Sequence, residues 1–179
     1  MILTERLILR PPQPADRAAI HAMWADPVAM ADLGPVNTAE QTDAALARHA
    51  SYGPDLGYRA VVRRVDDAVV GFCGLKIAGD DTPVAGELEC GWMIARAHWR
   101  RGYALEAMAA LLDWGWANTA APRIVAITAQ RNAKSRGMME RLGMTHRPAL
   151  DFVHPRFASD DPLAPAVIYV LDRQQPALG

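Results

Sequence analysis

Cysteine is scarce: Cys73 and Cys90 are the only two in 179 residues. Both sit inside apolar, strand-like segments, so they read as buried thiols of a reducing compartment and not as a disulfide. Two cysteines without histidines at matching spacing make no zinc site, and no metal is expected. Net charge is almost absent, at −1, which argues against a nucleic-acid partner recruited by overall charge. No apolar run is long enough to cross a bilayer, so no membrane partner is expected. The stretch Met1-Ile2-Leu3-Thr4-Glu5-Arg6 lacks the basic-then-apolar layout of a secretory leader. A cytoplasmic location follows as the expectation. The chain has neither a Gly-x-x-x-x-Gly-Lys-Ser/Thr loop nor a Gly-x-Gly-x-x-Gly after a strand, which counts against an ordinary nucleotide-binding module. It also lacks internal repeats and low-complexity tracts.

The rest of the composition is ordinary for a globular protein, with 51 % hydrophobic and 22 % charged residues. One domain over 1–179 is expected, long enough to bury a core. Alternation predicts a first strand from Leu3 to Arg10, ended by Pro11 and Pro12. A helix runs from Pro14 to about Trp24, and a loop with Asp26-Pro27 and Gly34-Pro35 follows. Thr38 and Gln41 form a capping box for a helix to about Ser51, broken at Gly53-Pro54. Tyr58–Arg64 and Ala68–Ile77 read as a hairpin turning at Asp66-Asp67. Leu88–Ile94 is a strand, then a basic turn leads into a helix to about Asn118. Ile124–Thr128 is a strand, and a helix opening at Asn132 stops at Gly143. A strand is expected at Met144–Ala149, a proline-containing loop over Asp151–Pro165 and a last strand over Ala166–Leu171. This order predicts a mixed α/β sheet with helices on both faces.

Two stretches bear on chemistry. In His98-Trp99-Arg100-Arg101-Gly102-Tyr103-Ala104-Leu105-Glu106-Ala107, basic residues and a glycine sit where a strand hands over to a helix. A first helical turn carries unpaired N–H groups and the positive end of the dipole, and can receive a phosphate. Gly102 would let backbone approach the anion, and Arg100 and Arg101 would add charge. An ordinary solvated basic turn is the alternative. In Asn132-Ala133-Lys134-Ser135, Asn132 could cap a helix or bond an amide-bearing ligand, and Ser135 lies one turn on, on roughly the same face. A helical serine is otherwise a solvated hydroxyl.

Together these stretches resemble the GNAT acetyltransferase superfamily, whose members move an acetyl group from acetyl-coenzyme A to an amine. The family's phosphate loop reads Gln/Arg-x-x-Gly-x-Gly/Ala. Gly102 and Ala104 match its last two fixed positions, and Trp99 departs from the first. Trp99 through Ala107 with its Glu-Ala pair, the opening Thr4-Glu5-Arg6-Leu7-Ile8-Leu9-Arg10, and Asn132-x-x-Ser135 before Glu140-Arg141-Leu142-Gly143 are similar to the branch that acetylates N-termini of ribosomal proteins. The likeness runs from Thr4 to about Leu171.

The resemblance implies a mostly antiparallel sheet with a splayed strand pair. It implies that Met93 and Ile94 flank the pantetheine arm of coenzyme A and that Arg100, Arg101, Gly102, Tyr103, Ala104 and Leu105 cradle its pyrophosphate. It also implies that Asn132 bonds the pantetheine arm. Many members carry a tyrosine acid seven residues after that asparagine, where this chain has Met139. The related branch has a serine at the position of Ser135, which would bond the thiolate as it forms. Glu89, on the strand beside the expected cofactor, is the candidate base, with a carboxylate paired to an arginine as the alternative. His154 is a second candidate base or a packing residue. Lys134 and Arg136 are read either as coenzyme A contacts or as solvated helix charges, and Trp92 as packing. The acceptor would be a protein N-terminus or a small amine, contacted by the 26–37 and 150–165 loops. A coenzyme A-binding protein without catalysis is the competing class. A monomer and a homodimer are both compatible with the sequence.

Overall fold

The computed structural model describes residues 1–53 and 55–174. Pro54, placed by the sequence at a helix break, lies outside the described residues, as do 175–179. The strands are β1 (Ile2–Leu3), β2 (Leu7–Arg10), β3 (Gly57–Arg63), β4 (Val69–Ile77), β5 (Leu88–Ile94), β6 (Arg123–Ala129), β7 (Thr145–His146), β8 (Phe152–Val153) and β9 (Pro165–Asp172). The helices are α1 (Arg17–Trp24), α2 (Pro27–Met30), α3 (Ala39–Ala50), α4 (Tyr103–Asn118) and α5 (Ala133–Arg141). The sheet runs β1-β2-β3-β4-β5-β6-β9-β7, with β8 also on β9. Every pairing is antiparallel except β5 with β6.

That parallel pair is short. Leu88 pairs with Ile124 and Glu89 with Val125, and no pairing continues beyond them. From Cys90 onward β5 therefore parts from β6 and leaves a wedge-shaped gap. The edge of β5 facing this gap carries backbone N–H and C=O groups without a strand partner, and such groups call for another polar partner.

Side-chain alternation along β5 divides two cores. Cys90 and Ile94 pack with Leu7, Leu9, Cys73 and Leu75 beneath Ala107, Met108 and Leu111 of α4 and Met139 of α5. Met93 faces the other way, into Ile20, Met23, Met30 and Phe72 under α1 and α2. A third cluster of Val125, Ile168 and Val170 lies under the 148–152 segment. Both faces thus carry helices, as the sequence predicts.

Some boundaries differ from expectation. The first strand is two: β1 folds back on β2, with Ile2 opposite Leu9. The turn closes because Thr4 Oγ1 accepts from Leu7 N–H at 3.0 Å. The expected strand at 144–149 shrinks to β7, because Pro148 opens a single 3-10 turn. α2 replaces part of an expected loop: Asp26 accepts hydrogen bonds from the N–H groups of Val28 and Ala29, with Pro27 at the first helical position. Thr38 and Gln41 form the expected capping box.

The α1/α3 core holds one titratable group that makes folding sensitive to acid. His49 is 7 % exposed, its Nδ1 accepts Tyr58 N–H at 3.3 Å, and its ring stacks on Tyr58. Burial first, then Arg48 and Lys76, push its pKa down to about 4. The unfolded chain takes up this proton near the ordinary value of 6.5, whereas the folded chain resists it until about 4. Stability should therefore fall as pH drops through that interval. Urea melts across it should show this loss, and His49→Gln should flatten the slope. An unchanged slope in the variant would assign the acid sensitivity elsewhere.

Candidate active site

The gap between β5 and β6 opens into a cleft of about 730 Å³. Trp92, Met93 and Ile94 line it from β5, Trp99, Arg100, Gly102, Tyr103, Ala104 and Leu105 from the basic turn, and Asn132, Lys134, Ser135 and Met138 from α5, while Arg101 is not among the lining residues. The two chemistry-bearing stretches, about thirty residues apart in sequence, therefore share one cavity. The 26–37 segment supplies a further wall through Val28, Ala29, Asp32 and Leu33.

The basic turn is shaped by its backbone. Arg100 (φ 61°) and Gly102 (φ 80°) are left-handed, whereas Trp99 (φ −63°) and Arg101 are not. These two positive-φ residues turn the chain tightly into a first helical turn, whose free N–H groups can receive an anion. It stands at the start of α4, where the dipole adds positive potential. The guanidinium groups of Arg100 and Arg101 are exposed and, among the described residues, have no carboxylate partner. These features fit the pyrophosphate of coenzyme A.

Trp99, where the family pattern has Gln or Arg, has a role of its own. Its indole N–H donates to Ile94 C=O at 2.7 Å, tying the basic turn to the end of β5. Lys134 reaches across from α5, with Nζ 4.7 Å from the Trp99 ring centre. That is a cation–π contact across the cleft.

Asn132 is buried and serves as the N-cap of α5. Its Oδ1 accepts from Ser135 N–H at 3.1 Å, and its Nδ2 donates to Thr128 Oγ1 at 3.0 Å. The capping role left open by the sequence is thus present. A carboxamide oxygen has two lone pairs, so one remains for a ligand donor. The Ser135 hydroxyl is half-buried, lines the cleft and has no hydrogen-bond partner among the described residues. Met139 is core, 1 % exposed, and does not line the cleft.

Glu89 lies where β5 and β6 still touch, on the Met93 side of the sheet. Its carboxylate is buried and bonded to Lys76, directly opposite on β4. Burial pushes its pKa up and Lys76 pulls it back, leaving it raised. It does not line the cleft. His154 also stands outside: its Nδ1 accepts Arg156 N–H at 3.3 Å and its ring packs near Phe152 and Phe157. Arg136 is engaged with Tyr169 and the Gln130 carbonyl, away from the cavity.

Two features needed three dimensions to appear. Trp92, a packing residue by sequence, also lines the cleft. The α2 segment straps the open mouth: Asp26 pairs with Arg96, just after β5, and Asp32 with Arg131, just after β6. Arg156 of the 150–165 loop donates to Leu33 C=O, so the two expected acceptor loops touch. Among the described residues no cluster of three or more His, Cys, Asp or Glu side chains could hold a metal, and no helix is long and apolar enough to cross a membrane.

The splayed parallel pair is the feature that the resemblance to acetyltransferases implies for the sheet, and residues 6–145 match the acetyltransferase (GNAT) domain. The chain belongs to the GNAT acetyltransferase family. It is 28 % identical over 149 residues to the uncharacterized N-acetyltransferase p20 of Bacillus licheniformis, covering 79 % of this chain and 80 % of that one. An acetyltransferase structure from Agrobacterium tumefaciens superposes with a TM-score of 0.78 at 28 % identity, over 96 % of this chain and 94 % of the other. The fold is shared with spermidine N-acetyltransferase of Vibrio cholerae in complex with CoA and spermine, at 17 % identity and a TM-score of 0.73, over 94 % and 96 % of the two chains.

Proposed function

We propose that the chain transfers an acetyl group from acetyl-coenzyme A to a primary amine, a protein N-terminus or a small-molecule amine, by direct attack in a ternary complex. The observation that carries this reading is the Ser135 hydroxyl, without a hydrogen-bond partner among the described residues, in a cleft that runs from the β5–β6 gap to the basic turn. Acetyl-coenzyme A supplies the activated acyl group and a thiol leaving group. The N–H groups of the turn and of Tyr103, Ala104 and Leu105, with Arg100 and Arg101, hold its pyrophosphate. Beside Met93 and Ile94, the gap-facing edge of β5 bonds the amides of the pantetheine arm through the Trp92 backbone and the Ile94 N–H, since Met93 pairs with Phe72 on β4 and the Ile94 C=O is held by Trp99, and the spare Asn132 lone pair takes an N–H from it. Ser135 Oγ donates its proton in a hydrogen bond to the sulfur as negative charge develops.

The incoming ammonium must lose a proton before it attacks. Glu89 accepts it through water, and Lys76 keeps the Glu89 carboxylate ionised against burial. Because its pKa is raised, Glu89 becomes an effective base only above the usual carboxylate range. Below that point parent activity falls, and far above it the amine is already neutral. Glu89→Gln should therefore lower kcat/KM most between those limits, with the deficit closing at high pH. A variant pH–rate profile that overlays the parent at every pH removes Glu89 from the mechanism.

A coenzyme A-binding protein without turnover draws support from Met139, which puts no tyrosine acid at the cleft. Thiol release from acetyl-coenzyme A against a panel of peptides, polyamines and other small amines separates the two. Release that tracks the appearance of an acetylated amine supports the transferase. Tight coenzyme A binding with no release for any amine supports the binder.

A further inference from the structure

Two motifs of the sequence, Thr4-Glu5-Arg6 and the Glu106-Ala107 pair, have no part in the chemistry above, yet they meet in space. Glu106 stands in the first turn of α4, its N–H bonded to Gly102 C=O at 3.0 Å. Its carboxylate accepts from Thr4 Oγ1 at 2.6 Å, from Arg6 N–H at 2.8 Å and from Arg6 Nε at 2.6 Å. Arg6 Nη1 then donates to Arg101 C=O at 3.0 Å. The guanidinium also lies over the Tyr103 ring, 4.8 Å from its centre. A closed circuit results: Gly102 to Glu106, Glu106 to Arg6, and Arg6 back to the Arg101–Gly102 peptide.

Arg6 does not line the cofactor cleft. It lines a separate cavity of about 470 Å³ with Arg63, Arg64 and Tyr103, behind the turn. It therefore does not act by touching the ligand from inside the cleft. In a planar trans peptide the C=O and the following N–H point in opposite directions. Holding the Arg101 oxygen on Arg6 aims the Gly102 N–H the other way, toward the cleft that Gly102 lines.

We propose that Arg6, held by Glu106, is a positioning residue that presets the phosphate turn for coenzyme A. The proposal rests on the reading of that turn as the pyrophosphate cradle. Its requirement is geometric and not merely electrostatic: Nε must meet the carboxylate while Nη1 meets the carbonyl. A lysine keeps the charge but has one nitrogen for both tasks.

The test is calorimetric titration of coenzyme A into the whole chain, with a thermal melt of each variant. Arg6→Gln and Arg6→Lys should each weaken binding by roughly tenfold, the scale of one well-aimed hydrogen bond to a charged group. Glu106→Gln should weaken it less. The Arg6→Gln/Glu106→Gln double variant should lose no more than Arg6→Gln alone, because both act through one carbonyl. Arg10→Gln breaks the other ion pair of the same hairpin, to Asp16 at 2.6 Å; it should lower the melting temperature and leave coenzyme A affinity at the parent level. Parent-like affinity in a folded Arg6→Lys overturns the geometric role, and so does an equal loss in Arg10→Gln or additivity in the double variant. If Arg6→Gln does not fold, Arg6→Lys and Glu106→Gln decide. A parent that does not bind coenzyme A overturns the cradle reading itself, and this proposal with it.

Discussion

Ser135→Ala should lower kcat by roughly tenfold to a thousandfold, the range expected for losing one donor to a developing anion. Coenzyme A affinity should stay nearly unchanged. The structure makes this substitution unusually clean. The cap of α5 runs from Asn132 Oδ1 to the backbone N–H of Ser135, not to its hydroxyl. Alanine keeps that bond and has the higher helix propensity, so fold and cleft should survive. The lost hydroxyl has no other partner among the described residues. Only an interaction made late on the reaction path should disappear, which lowers kcat and kcat/KM together. Steady-state rates beside a coenzyme A titration check this. Parent-like kcat in the variant would remove Ser135 from the chemistry, and a parallel loss of affinity would make it a ground-state contact.

Gly102→Val should weaken coenzyme A binding at least tenfold, a loss of about 1.4 kcal/mol. Two costs act together. At φ 80° an L side chain is strained, by about 1–2 kcal/mol, and more for a β-branched one. A Cβ at this position would also meet Arg6 Nη2 at 3.3 Å, pressing on the guanidinium that holds the turn. The chain can relieve both by rotating the 101–103 backbone, which redirects the free N–H groups of the turn. Calorimetry on the folded variant decides the matter: unchanged affinity would place the pyrophosphate elsewhere.

The sequence made the order of elements legible because its punctuation is strong. Pro11-Pro12, the Thr38/Gln41 box, Asp66-Asp67 and Gly143 each fall at the end of an element or in the turn between two. α2 was legible too in retrospect, since Asp26 followed by Pro27 is a cap followed by a favoured first helical residue. The loop reading missed it because four residues show no periodicity. The β1–β2 turn was hidden for a different reason: alternation continues through Leu3 and Leu7, and the bonds between Thr4 and Leu7 that reverse the chain leave no mark in it.

At the site, residue types exposed the turn and the Asn132–Ser135 pair, but partners were out of reach. Glu89 sits opposite Lys76 and not an arginine, because strand register decides who faces whom. Trp99 bonds Ile94 C=O, and Asp26 and Asp32 reach the two arms of the gap. These contacts depend on how β5 and β6 part, which no local pattern encodes.

Transfer to an amine by direct attack within this cleft has a kinetic signature. Initial rates of thiol release, with acetyl-coenzyme A and an accepted amine both varied, test it most directly. Release should require the amine, and double-reciprocal lines should intersect, as a ternary complex demands. Release that proceeds equally without amine, or parallel lines indicating an acetylated protein intermediate, would contradict it.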